Sequence, residues 1–252
     1  MIYVFLPAYN EEEALPKLVQ KFDDEFKRLA ETYRIVVVDD GSRDRTPLVA
    51  QELASRYPIE LLKHEVNQGL GQTVIDGFRH TAKLSSADDL IVSMDCDDTH
   101  DPKYMEAAFK KIREGYDLVI LSRYQKGGGE EGLSPFRAFT SRAAGFVLKL
   151  FFPIRGVREY SCGYRVYRAS ALKQVISEFG DKFIEFPHLG FVAVPELLLK
   201  FRMLGLRISE VPFRLRYDQK RGASKMNVSR TISGYMALVF RFWGRRRPLR
   251  KA

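Results

Sequence analysis

Cysteine is nearly absent from this 252-residue chain: Cys96 and Cys162 are the only two, too few for a disulfide framework and without metal-ligand spacing. Their scarcity favours a reducing compartment. No apolar run approaches the roughly 18 residues of a membrane-crossing helix, so no span is expected. The opening MIYVFLPAYNEEE has no basic leader and too short an apolar stretch for a secretory signal, and it reads as a first strand. Neither an internal repeat nor a low-complexity segment is present. His64, His80, His100 and His188 are scattered, so none is assigned as a ligand or general base, although His100 lies beside an acidic cluster and is placed to tune it.

What is present is an ordinary globular composition, 45% hydrophobic and 29% charged, enough for one α/β domain or two smaller ones. The 41 Lys and Arg outnumber the 32 Asp and Glu, for a formal charge of +9. The excess gathers at the end, in Arg241, Arg245, Arg246, Arg247, Arg250 and Lys251. Such an end suits anionic lipid, phosphate ligands or nucleic acid, and its plainest reading is a solvated tail.

Residues 1–6, 34–38, 59–62, 90–94 and 118–121 are short β-branched or aliphatic runs, expected as buried strands. Helical patterns fill the gaps at 12–31, 46–57, 69–81 and 102–114, with Pro47 and Pro102 where a first turn tolerates proline. The alternation predicts a largely parallel sheet covered on both faces. In such sheets ligands bind at the carboxyl ends of the strands, and the unusual residues cluster there. Beyond Arg123 comes a glycine-rich stretch, 126–132, expected as a mobile flap. Two amphipathic helices follow at 134–152 and 228–243, the second leading into the arginine-rich end; together they favour a membrane surface.

The chemistry starts from Asp95-Cys96-Asp97-Asp98, which directly follows the strand Leu90-Ile91-Val92-Ser93-Met94. Carboxylates crowded at a strand end repel one another unless a cation holds them, and hard oxygen ligands suit Mg²⁺ or Mn²⁺ bridging phosphate oxygens. A helix-capping turn before Pro102 would need only Thr99 or Asp101, leaving Asp95 and Asp97 unexplained. Val36-Val37-Val38-Asp39-Asp40-Gly41-Ser42 repeats the geometry at the second strand, where acids can accept hydrogen bonds from a ribose or base edge. The first loop, Pro7-Ala8-Tyr9-Asn10-Glu11, adds an aromatic wall and another carboxylate.

In order, PAYNEEE, VVVDDGSRDRT, NQGLGQTVIDGF, MDCDDTHDP, LSRYQKGGG, SCGYRVYR and RGASK resemble family 2 glycosyltransferases of the dolichyl-phosphate mannose synthase type, from Ile2 to about Asn227. The resemblance implies a GT-A, Rossmann-like α/β fold over 1–227; the basic amphipathic segment at 228–252, expected to form C-terminal interfacial helices, is read from its own pattern. It places the nucleotide-sugar donor against Pro7, Ala8, Tyr9, Glu11, Val38, Asp39, Asp40 and Cys96, and the metal on Asp95 and Asp97, with Thr99 a third ligand where relatives often carry Gln. Arg123, Arg137 and Ser141 fall where similar enzymes hold the lipid phosphate and the transferred sugar, and Ser224 and Lys225 match a late phosphate-binding loop. Lys225 is shared with the donor, and Asp97 and Arg123 are the expected catalytic residues. Three residues before Gly222 the family usually has Arg and this chain has Gln219, with Arg216 and Arg221 as substitutes. Glu196 matches an acid near the sugar, or is a buried helix acid paired with a cation.

The expected activity is metal-dependent, inverting transfer of a hexose, with GDP-mannose as donor and a polyprenyl phosphate as acceptor, at the cytoplasmic face of a membrane. A membrane-anchor subunit is left open. The alternatives are a UDP-glucose-dependent glucosyltransferase, a family 2 enzyme acting on a glycan with Glu196 as base, and a non-catalytic nucleotide-sugar-binding subunit. Nucleic acid is not an expected partner, because the tail lacks interleaved aromatic residues.

Overall fold

The computed structural model describes residues 1–220 and 228–243. β1 (Ile2–Ala8), β2 (Tyr33–Asp39), β3 (Ile59–Lys63) and β4 (Leu90–Ser93) are joined by α1 (Leu15–Leu29), α2 (Thr46–Ala54) and α3 (Leu70–Leu84). A 3₁₀ turn, Pro102–Tyr104, leads into α4 (Met105–Arg113) and β5 (Leu118–Ser122). There follow β6 (Gly129–Glu131), α5 (Pro135–Phe151), β7 (Arg165–Arg168), α6 (Ala169–Phe179), α7 (Ala193–Met203), β8 (Ile208–Pro212), β9 (Arg214–Arg216) and α8 (Val228–Phe242).

The main sheet has the order β3-β2-β1-β4-β7-β5-β8, parallel throughout except for β7, which runs antiparallel between β4 and β5. The chain moves outward from β1 to β2 and β3 and then returns to β4, so the order reverses between β1 and β4. That reversal opens a crevice at the carboxyl ends of the strands. Period-two alternation sends Ile2, Val4 and Leu6 to one face, where they pack with Leu15, Phe22, Phe26 and Phe109 of α1 and α4. Tyr3 and Phe5 point to the other face, against Val74 and Phe78 of α3 and residues of α6 and α7. Burial on both faces is why the strands read as continuous apolar runs.

Two expectations change. Residues 126–132 are not a free flap, because β6 pairs in parallel with β9 as a separate two-stranded sheet. The segment is also tightly packed: a side chain on Gly132, at φ +77°, would meet the Asp218 backbone at 2.4 Å. The second change concerns α8, whose inner face carries Leu238, Val239 and Phe242 into the core, so Phe242 adds nothing to a surface. Among the described residues, no helix is long and apolar enough to cross a membrane.

Candidate active site

The loops after β1 and β2 are fastened together. Asn10 donates its N–H to Ser42 Oγ at 2.9 Å and accepts the Arg43 N–H at 2.8 Å, and the Glu11 N–H reaches Thr46 Oγ1 at 2.8 Å. Asn10 adopts φ +54°, a left-handed turn that asparagine tolerates better than most residues. Pro7, Tyr9 and Glu11 are half-buried along this loop, whereas Ala8, Val38 and Cys96 send their side chains into the core and leave only main chain beside the crevice.

The two acids at the end of β2 behave differently. Asp39 is fully buried; its Oδ2 accepts the Ser42 N–H at 3.4 Å, and its Oδ1 has no hydrogen-bond partner among the described residues. A buried carboxylate oxygen without a donor is costly, and the N–H or O–H of a base or ribose at the strand end would satisfy it. Asp40 is already engaged: it accepts the Gln68 and Gly69 N–H groups at 2.8 and 2.9 Å and lies 2.8 Å from His64 Nδ1. The other side of His64 faces Asp76 at 3.3 Å, so Asp40 shapes the turn that opens α3.

Beyond β4, Asp98 takes φ +60° and turns toward α1, where Lys21 meets it at 2.6 Å. Asp101 caps the 3₁₀ turn by accepting the Lys103 N–H at 3.0 Å. Capping therefore requires neither Asp95 nor Asp97. Thr99 is buried, and its hydroxyl donates to Asp97 Oδ1 at 2.6 Å, which orients that carboxylate. Asp97 Oδ2 receives the ammonium of Lys220. Burial opposes the charged form of Asp97, but Lys220, His100 and Thr99 outweigh it and hold its carboxyl below the usual range. Asp95 stands beside it at the open edge, its side chain 43% exposed. His100 is buried, with Nδ1 unpartnered and 4.0 Å from Asp95 Oδ2, while its ring packs on Tyr164 and Phe213.

Two neighbouring carboxylates that have drawn in an ammonium fit a divalent cation. Among the described residues no group of three or more His, Cys, Asp or Glu forms a closed cage.

Across the crevice the charges are positive and already matched. Arg123, just after β5, makes a two-pronged pair with the fully buried Glu159, at 2.7 and 3.0 Å, and reaches Ser141 Oγ at 3.2 Å. Burial works against the Glu159 anion, yet Arg123 and the Ser161 donors keep its carboxyl below the ordinary range. Tyr124 lies under the Arg123 guanidinium, 4.9 Å from ring centre to Cζ, and its hydroxyl is 3.1 Å from Ser141 Oγ. Arg137, one turn before Ser141 on α5, donates to the Tyr217 hydroxyl and lies over that ring. Arg123, Arg137 and Ser141 are thus gathered at one corner. Arg216 is directed elsewhere, pairing with Asp218 at 2.8 Å and Glu131 at 3.3 Å. Arg221, Ser224 and Lys225 lie outside the described residues. Glu196 is the buried helix acid of the two readings: it is fully enclosed, 2.8 Å from Lys200, and accepts the N–H groups of Glu185 and Phe186.

A family profile, "Glycosyl transferase family 2", matches residues 3–176. The chain belongs to glycosyltransferase family 2. A dolichol-phosphate mannosyltransferase from Pyrococcus furiosus is 34% identical over 241 residues, covering 95% of this chain and 63% of that protein. A dolichyl-phosphate beta-glucosyltransferase from Trichomonas vaginalis is 30% identical, over 90% of this chain and 68% of its own length. This chain therefore spans just under two thirds of the first relative and slightly more of the second. Among solved structures, glucosyl-3-phosphoglycerate synthase from Mycobacterium tuberculosis, with Mn²⁺, UDP and glucosyl-3-phosphoglycerate, superposes at a TM-score of 0.65 with 18% identity, covering 100% of this chain and 81% of that one. Mannosyl-3-phosphoglycerate synthase from Rubrobacter xylanophilus gives 0.61 with 17% identity, over 100% and 77%. The fold is the GT-A arrangement.

Three residues at this site escaped the sequence reading. Lys220 stands beside the Gln219 departure, yet only arginines were weighed as its substitute. Glu159 and Glu130 are revealed by what they neutralise: Glu130 lies 3.1 Å from Arg142 and 3.6 Å from Arg123. A buried arginine requires a counter-charge, but the spacing along the chain does not say which acid supplies it.

Proposed function

We propose that this chain is an inverting, metal-dependent glycosyltransferase that moves mannose from GDP-mannose onto a polyprenyl phosphate at the cytoplasmic face of a membrane. The observation that carries the reading is the makeup of α5. Arg137 and Ser141, four residues apart, share the face turned toward the crevice, while Phe136, Phe139, Phe146 and Leu150 lie on the opposite face and are 64–71% exposed. α8 packs beside it, with the Phe151 and Trp243 rings 4.9 Å apart, and exposes Ile232, Met236, Phe240 and Trp243. An acceptor with an anionic head and an apolar tail matches both faces of one helix. The contiguous apolar surface suits the interface of a bilayer.

The donor assignment rests on the mannosyltransferase relative, which exceeds the glucosyltransferase in identity, 34% against 30%, and in the share of this chain matched, 95% against 90%. Asp39 accepts from the base or ribose, Asp40 holds the 67–69 turn beside it, and Tyr9 and Glu11 border the pocket. Mg²⁺ or Mn²⁺ on Asp95 and Asp97, when bound, stabilises the negative charge of the leaving diphosphate. Arg123, locked by Glu159, presents Ser141 and Tyr124 toward the transferred sugar. Arg137 orients the acceptor phosphate, whose oxygen is anionic near neutral pH and attacks the anomeric carbon without a general base. Single displacement inverts configuration. Glu196, enclosed and paired with Lys200, is not exposed to serve as base for a glycan acceptor.

A donor screen with a polyprenyl phosphate acceptor, monitoring release of GDP or UDP, tests the reading. Release from GDP-mannose, abolished by chelation, is expected. Release from UDP-glucose alone would reassign the donor, and turnover that survives full chelation would remove the metal.

A further inference from the structure

Lys220 occupies the position on Asp97 where a cation is expected. Its Nζ contacts Asp97 Oδ2, and both side chains are nearly enclosed, at 13% and 12% exposure. The lysine is not a loose surface chain. It follows a 3₁₀ turn, Tyr217–Gln219, anchored on three sides: Tyr217 to Arg137, Asp218 to Arg216 at 2.8 Å, and the Arg216 N–H to Thr99 O at 3.0 Å. The last bond ties the turn to the loop that carries Asp95 and Asp97. A second lysine nearby, Lys21, engages a different carboxylate, Asp98, at 2.6 Å, so the two ammonium groups are not interchangeable.

We propose that Lys220 is a built-in competitor for the divalent ion, holding its place on Asp97 until the ion arrives and then passing its ammonium to the phosphates of the incoming donor. A dication and an ammonium repel each other on one carboxylate, so one must leave. The cavity beside Lys220, about 370 Å³ and lined also by Lys17, Lys21, Asp98, Asp218 and Gln219, gives the displaced side chain room to turn. A site whose competent form is only partly populated binds its ligand more weakly by that fraction. Lys220 therefore weakens binding of the bare ion and strengthens binding of the ion together with a diphosphate, which favours loading as a complex.

The inference rests on reading Asp95 and Asp97 as a cation site, and its test separates the two. Mn²⁺ binding to the full-length chain is followed by loss of the free-ion electron paramagnetic resonance signal, with GDP and without it, in the wild type, Lys220→Met and Lys21→Met. Met keeps most of the lysine stem and removes its charge, and thermal unfolding confirms that each variant is folded. Without nucleotide, Lys220→Met should bind Mn²⁺ about five- to tenfold more tightly, whereas Lys21→Met should change little. With GDP present, the advantage of Lys220→Met should vanish or reverse. Equal Mn²⁺ affinity in Lys220→Met and wild type, or equal tightening in both variants, would overturn the competitor while leaving the cation site intact. Absence of Mn²⁺ binding in all three proteins would overturn both.

Discussion

The two walls of the crevice treat charge in opposite ways. On the donor wall, Asp39 Oδ1 has no hydrogen-bond partner among the described residues, and Asp95 faces His100 Nδ1 across 4.0 Å. On the acceptor wall the cations are already committed: Arg123 to Glu159, Arg142 to Glu130, and Arg137 to a tyrosine hydroxyl. The acidic wall is left incomplete, as a surface that recruits a cation and a nucleotide should be. The cations of the basic wall are held by their own partners, carboxylates for Arg123 and Arg142 and a hydroxyl for Arg137, which fixes arginine geometry before any phosphate arrives, although Glu130 Oε2 is itself left without a hydrogen bond among the described residues. Lys220 bridges the two, coming from the acceptor side to rest on Asp97.

The sharpest way to break this contrast is on the acidic wall. Asp97→Ala should lower transfer by about a hundredfold or more, read as the rate of nucleoside diphosphate release, because the leaving group loses its cation. Because the change also leaves the nearly enclosed Lys220 ammonium without its carboxylate, thermal unfolding recorded beside the rate separates lost folding from lost chemistry. A variant that kept wild-type rates would show the acidic edge to be bystander structure.

On the basic wall the largest effect should be on stability. Glu159→Ala leaves the Arg123 charge buried and unmatched, at a cost of about 3–5 kcal/mol in urea unfolding. The Glu159 carboxyl is held below its ordinary value, so its contribution is complete above the unfolded carboxyl range and is lost as the pH falls through the lowered value. Unfolding followed from pH 7 downward should show this acid-side loss in the wild type and lack that component in Glu159→Ala. A pH-independent difference between the two proteins would contradict the ion pair.

Smaller and more selective is Arg137→Ala, which should raise the acceptor KM about tenfold while leaving the nucleotide Kd unchanged, by removing one charge-assisted contact to phosphate. Equal loss of nucleotide affinity would move Arg137 to the donor wall. The smallest effect on the fold belongs to Phe139→Ser combined with Phe146→Ser, both about 70% exposed. Unfolding should change by no more than about 0.5 kcal/mol per site, while sedimentation with anionic liposomes should fall clearly. Unchanged sedimentation would leave membrane recruitment to another part of the protein. Point variants are required here, because Leu238, Val239 and Phe242 make α8 part of the core and its truncation would unfold more than a surface.

The donor wall was largely legible in the chain, and for a physical reason. Each parallel strand there is a short apolar run, and the residues just after it, Pro7–Glu11, Asp39–Ser42 and Asp95–Asp98, fall at one edge by topology alone. Reading stopped where partners are remote in sequence. β7 inserts antiparallel between β4 and β5, and β6 finds β9 more than eighty residues later, pairings that no local period encodes. Glu159 meets Arg123 across 36 residues, and Lys220 meets Asp97 across 123. At short range more is legible: a hydroxyl two residues from a buried carboxylate is placed to hydrogen-bond to it, as Thr99 does to Asp97.

The contrast between the walls predicts an acceptor that carries its own negative charge, and this can be measured directly. Radiolabelled GDP-mannose is supplied with either a polyprenyl phosphate or the matching polyprenol, which has the same chain and no phosphate, and the glycosylated lipid is extracted and counted. Transfer to the phosphate, with polyprenol at background even at saturating concentration, is the expected result. Comparable transfer to both lipids would show that the arginine corner does not select an anion, and would contradict the account at its centre.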